Sequence, residues 1–204
     1  IHSVFGAGKT HLLGDMLRVE RARGPVAYLN LAGEDGYKTL AGMGLGDIAY
    51  TAHNVAEYKE FAALCVKEKM HAVAVDSVRT LAALNMHAVV GDRMPQGGDS
   101  KVNEWGDVHL KMQHLAAGLR SLAHIVVVSS ASDLFKDPVA GTVMQINPDL
   151  PGRESRDAWG WFDFLGYLSA TVTGPGAVRR TLTFAPTPRI ATRAHRSEGR
   201  PVEG

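Results

Sequence analysis

Ser3-Val4-Phe5-Gly6-Ala7-Gly8-Lys9-Thr10 stands near the start of this 204-residue chain and runs directly into an amphipathic stretch. Across residues 10–23, Leu12, Leu13, Met16, Leu17 and Val19 recur at helical spacing, and Gly24-Pro25 stops the run. Glycines just ahead of a helix allow a tight turn, and a helix N-terminus presents N–H groups that favour anions. With Lys9 to neutralise β/γ-phosphate charge and the Thr10 hydroxyl to hold Mg2+, the octet reads as a phosphate-binding loop of the form G-x-x-x-x-G-K-[ST]. Phe5, Gly6, Ala7, Gly8, Lys9, Thr10 and His11 are the expected nucleotide-binding residues, with ATP and Mg2+ as ligands. Ser3 stands where the pattern has its first glycine.

Such a loop needs a carboxylate on a neighbouring strand to orient the metal through its waters. Ala72-Val73-Ala74-Val75-Asp76 is a short apolar run closing on an acid, so Thr10 and Asp76 form the expected metal pair. An earlier apolar run, 26–31, suits a buried strand and ends in the acidic turn Gly33-Glu34-Asp35-Gly36. Glu34 is the first candidate to position or deprotonate an attacking water, with Asp35 behind it. Ser129 and Ser130, at the end of a third apolar run (125–128), are candidates for contacting the γ-phosphate, read as exposed strand-end serines.

The same features set the architecture. Asn54-Val55-Ala56-Glu57 has the form of a capping box and predicts a helix over 55–69. Residues 77–90 and 102–123 read as helices, separated by a glycine-rich loop at 91–100. Strand and helix alternate, which predicts an α/β fold with a mostly parallel sheet flanked by helices. Residues 164–173 and 178–184, around Gly174-Pro175-Gly176, predict a C-terminal antiparallel hairpin. One domain over 1–204 is expected, with an incomplete strand ahead of the loop and a basic tail at 186–204.

Composition narrows the class. With 45% apolar and 21% charged residues and no apolar run of the roughly 18 residues that a membrane helix needs, the expectation is a cytoplasmic globular domain. Cys65 is the only cysteine and sits among apolar neighbours, which suits a buried helix position. The nine histidines show no spacing that would build a metal centre. Residues 179–204 hold six arginines against Glu198 and Glu203; taking that +4 from the chain's +1 leaves −3 for the rest. A basic end on a nearly neutral body suits a phosphate-bearing partner or a solvated tail.

The order of these features, with Trp105-Gly106, Pro151-Gly152, Phe162-Asp163, Gly166-Tyr167 and Arg180 following, resembles the RecA-like P-loop ATPases of bacteriophages of the Sak4 type. These are single-strand annealing recombination proteins within the AAA_24 group. The chain departs from them at Ser3 and at Ser129-Ser130-Ala131, where such proteins more often end the strand with a polar residue and a histidine. The resemblance implies a RecA-like core, an Mg-dependent ATPase stimulated by single-stranded DNA, and ATP near a subunit boundary of a homo-oligomer. It also implies an infected bacterial cell as the setting, a phage single-strand-binding protein as a further partner, and a basic residue arriving from the neighbouring subunit. Arg193 is the candidate for that last role, with Arg189 and Arg196 as alternatives.

DNA contacts would come from residues 91–101 and 132–157, read as loops, through Arg93, Lys101, Lys136, Arg153 and Arg156. Trp159, Trp161 or Phe162 could stack on bases, although core packing suits these aromatics better. Two other readings stay open: an ATP-binding module that gates assembly without hydrolysis, and a P-loop small-molecule kinase.

Overall fold

The computed structural model describes residues 1–4, 6–90, 102–137, 140–150, 155, 160–174, 177–185, 190 and 192. Its first strand, β1 (His2–Ser3), leads through the glycine-rich loop into α1 (Lys9–Glu20), whose buried Leu13 and Leu17 lie one turn apart. Then come β2 (Val26–Leu31), α2 (Gly36–Gly42), β3 (Ala49–Ala52), α3 (Val55–Lys67), β4 (Ala72–Asp76), α4 (Val78–Val90) and α5 (Val102–Arg120). The chain continues through β5 (Ile125–Val128), β6 (Ser130–Lys136), β7 (Val143–Pro148), β8 (Tyr167–Gly174) and β9 (Ala177–Thr183).

Two sheets result, ordered β3-β2-β4-β5 and β7-β6-β1-β8-β9. The first is parallel throughout, as short buried strands joined by helices require. The sheets meet where β5 runs on into β6 across Ser129. On one side Val75 and Ser129 are bonded through their backbones, and on the other the Ser130 N–H donates to the Ile1 carbonyl, both at 2.9 Å. β1 pairs in parallel with β6 and β8, while β6–β7 and β8–β9 are antiparallel ribbons.

Every residue of β2 and β4 is buried, and strand alternation sorts their side chains onto two faces. Leu29, Leu31, Val73 and Val75 face a core filled by Phe61 and Cys65 of α3, Leu81 of α4, and Met112 and Leu119 of α5. Tyr28, Ala72 and Ala74 face the other way, against Leu13 and Leu17 of α1 and Leu40 of α2. By the same alternation Asp76 emerges on the α1 side, beside the loop.

The predicted α/β architecture and C-terminal hairpin are present, and α3 has its expected cap. Asn54 Oδ1 accepts the Glu57 N–H at 3.0 Å, while the Glu57 carboxylate accepts from the His53 N–H at 2.9 Å and from Asn54 Nδ2 at 2.8 Å. The acidic turn is followed at once by a helix, α2, and then by the edge strand β3, both too short to show periodicity. One expectation needs correction. The segment 132–157, expected as a loop, is in its described part largely the β6–β7 ribbon. Trp161 is a core residue, 8% exposed, with Phe162 packed against the same cluster, which is the core packing expected to suit these aromatics better than base stacking. The segment 91–101, Arg153, Arg156, Trp159 and the tail arginines Arg189, Arg193 and Arg196 lie outside the described residues.

Candidate nucleotide-binding site

The loop begins where β1 ends. Gly6 and Gly8 have φ of 75° and 92°, the left-handed region that glycine enters without a Cβ penalty. Gly8 caps α1 by backbone alone, and no side chain caps this end of the helix. The N–H groups of Lys9, Thr10 and His11 therefore open the helix beside the loop, where an anion is favoured. The His11 side chain is exposed, so its contribution to such a site is its backbone. Phe5 lies outside the described residues.

Lys9 donates from Nζ to Ser3 Oγ at 3.0 Å, and the Ser3 hydroxyl donates in turn to the Val4 carbonyl at 2.9 Å. The residue that replaces the first glycine thus gives the loop lysine a partner. Burial holds the Lys9 ammonium below the usual lysine range, while the charges of Asp76 and Glu34 pull it back upward.

Asp76 is the hub of the site and is 4% exposed. Its Oδ2 accepts from Thr10 Oγ1 at 2.7 Å and from the Tyr28 hydroxyl at 2.8 Å, and its Oδ1 accepts from Ser129 Oγ. Burial and the neighbouring Asp76 charge push the Tyr28 hydroxyl far above the usual phenol range, so it stays a donor. Gly36 keeps this space open, since a Cβ there would meet the Tyr28 hydroxyl and lie 3.2 Å from Asp76 Oδ2.

Glu34 turns inward beside this hub. Ser77 Oγ and Thr80 Oγ1 each donate to its Oε1 at 2.9 Å, which holds the carboxylate against the start of α4, just after Asp76. Asp35 is corrected as a candidate: its side chain is 84% exposed and pairs with Lys38 at 2.8 Å on the surface. Ser129 and Ser130 are corrected as exposed serines. Both are buried; Ser129 is spent on Asp76 and Ser130 Oγ donates to the Asp149 carbonyl at 3.4 Å.

Sequence reasoning missed Tyr28, Ser77, Thr80 and the placement of Arg180. Arg180, on β9, donates from Nε to the Ala7 carbonyl at 3.1 Å. Tyr28 left one legible signal, a hydroxyl inside an otherwise apolar strand, which has to find a partner when buried.

Thr10 and Asp76 offer oxygen donors alone, the chemistry that suits a hard cation such as Mg2+. Among the described residues no cluster of three or more acidic, histidine or cysteine side chains could hold a metal by itself, so the pair would share its ion with phosphate oxygens. Amide groups and a lysine on one side of such an ion, and a strand-end carboxylate on the other, are what an α/β sheet uses to hold nucleotide phosphates. The molecule is accordingly a P-loop nucleotide-binding protein of the ATPase class. The chain belongs to the AAA_24 family, an AAA domain, whose model matches residues 1–195. No curated protein matches the chain. Among the described residues no helix is long and apolar enough to cross a membrane.

Proposed function

We propose that this protein binds ATP with Mg2+ on the glycine-rich loop, hydrolyses it, and uses the cycle to bind or anneal single-stranded DNA in phage recombination. The observation that carries the ATP part is the direct bond between Thr10 and the buried Asp76 carboxylate, beside Lys9 and Glu34. In this reading the loop amides and Lys9 hold the phosphates, and Thr10 and Asp76 would hold Mg2+, whose charge would offset that of the phosphates. Glu34 orients a water in line with the γ-phosphorus. The water oxygen bonds to phosphorus, the bond to the β–γ bridging oxygen breaks, and the water's proton leaves through the Glu34 carboxylate to solvent.

The DNA part rests on the resemblance to annealing ATPases and on the β6–β7 ribbon, where Phe135 is 57% exposed beside the exposed Lys136. An exposed ring next to a cation suits base stacking with phosphate contact. The active form is a homo-oligomer with ATP near the subunit boundary, and Arg193 of a neighbouring protomer completes the site. A phage single-strand-binding protein is the further partner.

A second reading, nucleotide-gated assembly without turnover, is favoured by the Lys9–Ser3 bond, which draws the lysine back onto its own loop. ATP hydrolysis measured with and without single-stranded DNA, at two salt concentrations, separates the two. The first reading expects DNA to raise the rate and salt to suppress the increase, because phosphate-driven binding weakens steeply with salt. Tight ATP binding with no turnover at any DNA concentration establishes the second.

A further inference from the structure

We propose that Arg180 reads the terminal phosphate of the nucleotide from within the same chain, coupling the β8–β9 hairpin to the presence of ATP rather than ADP. The inference rests on the ATP reading above and adds to it a cation from the far end of the sequence.

The hairpin is fixed to the strand that leads into the loop. Tyr167 of β8 pairs with His2, and the His2 N–H donates to the Gly166 carbonyl at 2.9 Å. Alternation along β9 sets Arg180 and Leu182 on one face. Leu182 and Phe184 close over Gly166, where an added Cβ would lie 2.9 Å from Leu182 Cδ1 and 2.7 Å from Phe184 Cε1. With the base of the hairpin packed there, Arg180 reaches across the loop at its solvent-facing rim, where Nε meets the Ala7 carbonyl.

Its guanidinium lies on Gly8. A Cβ at Gly8 would stand 2.5 Å from Arg180 Nε and 3.3 Å from Cζ. Nε is engaged by the Ala7 carbonyl, and the two Nη groups are the part of the fork that this bond does not use. Among the described residues no carboxylate pairs with Arg180, although the residue is exposed. A planar fork at the rim of a loop that gathers N–H groups is suited to two phosphate oxygens at once. Its position over Gly8 is at the lysine end of the loop, and the lysine of such loops reaches the β/γ-phosphates. Arg179, next in the chain, points to the opposite face and serves as a control.

The test compares ATP and ADP affinity, by displacement of a fluorescent nucleotide, in the full chain and in Arg180→Ala, Arg180→Lys and Arg179→Ala. Arg180→Ala should weaken ATP by roughly 10-fold or more, the size of a lost charge-assisted hydrogen bond, while ADP affinity stays near that of the parent. Arg180→Lys should recover part of the loss, and Arg179→Ala should match the parent. An unchanged ATP-to-ADP ratio in Arg180→Ala overturns the inference while leaving the ATP reading intact; a parent chain that binds neither nucleotide overturns both. Mixing Arg180→Ala with Lys9→Ala protomers separates cis from trans action. Recovery of turnover on mixing would show that Arg180 works across a subunit boundary and would overturn the proposal, whereas no recovery is the expected result.

Discussion

Glu34 and Asp35 are adjacent acids with different surroundings, and only Glu34 is held by the hydroxyls of the segment that follows Asp76. Two hydroxyls, from Ser77 and Thr80, hold Glu34 beside Asp76, whereas Asp35 binds Lys38 in solvent. Glu34→Gln keeps the shape and the acceptor oxygen but loses the base, so nucleotide binding should persist while turnover falls roughly 10²- to 10⁴-fold. Parallel measurement of nucleotide affinity and hydrolysis checks this; undiminished turnover would remove Glu34 from the reaction. The loop residues were legible because their chemistry is written in consecutive positions. Choosing between Glu34 and Asp35 was not, because the hydroxyls that decide it lie 43 and 46 residues further along. Arg180 was harder still, since its partner Ala7 is 173 residues away.

Elements with a full turn pattern or a continuous apolar run were readable, and α3 shows why. Its cap, its stripe of Tyr58, Phe61 and Cys65, and its length all repeat one periodicity. The short α2 and β3 carry too few residues for any period, and the β6–β7 ribbon alternates poorly because much of it is exposed. Burial of Cys65 in α3 has a pH consequence: it raises the thiol from near 9 to about 11. Between those values the unfolded thiol has lost its proton and the folded one keeps it. The unfolded state then binds fewer protons, so stability is complete below pH 9 and declines as pH rises toward 11. Burial raises Tyr58 to about 12, which extends the decline upward from the ordinary phenol value of 10. Urea midpoints from pH 8 upward should therefore fall in the parent chain. In Cys65→Ala they should be flatter between 9 and 10; an identical slope would clear the thiol as the cause.

For the molecule as a whole, residues far apart in the chain must meet before the core is complete. Trp161, from the C-terminal third, joins the cluster made by α3, α4 and α5. Trp161→Ala should cost about 3–5 kcal/mol of stability, the usual range for deleting a buried aromatic. Urea unfolding measures this, and a loss of DNA affinity with unchanged stability would instead mark Trp161 as a contact residue. The parallel α/β order was legible from alternation alone, but the way two sheets share one strand was not, because it depends on which neighbour each half of that strand selects.

That shared strand has a further effect. β4, which ends in Asp76, and β1, which begins the loop, are not bonded to each other; the β5–β6 strand lies between them. Their separation is thus two strand spacings, about 9.5 Å. The intervening strand acts as a gauge block, setting the gap between the lysine-bearing jaw and the carboxylate jaw by backbone geometry and not by side-chain choice. Widening that gap means breaking ladder hydrogen bonds, so a bound nucleotide would meet two jaws whose spacing the backbone holds constant.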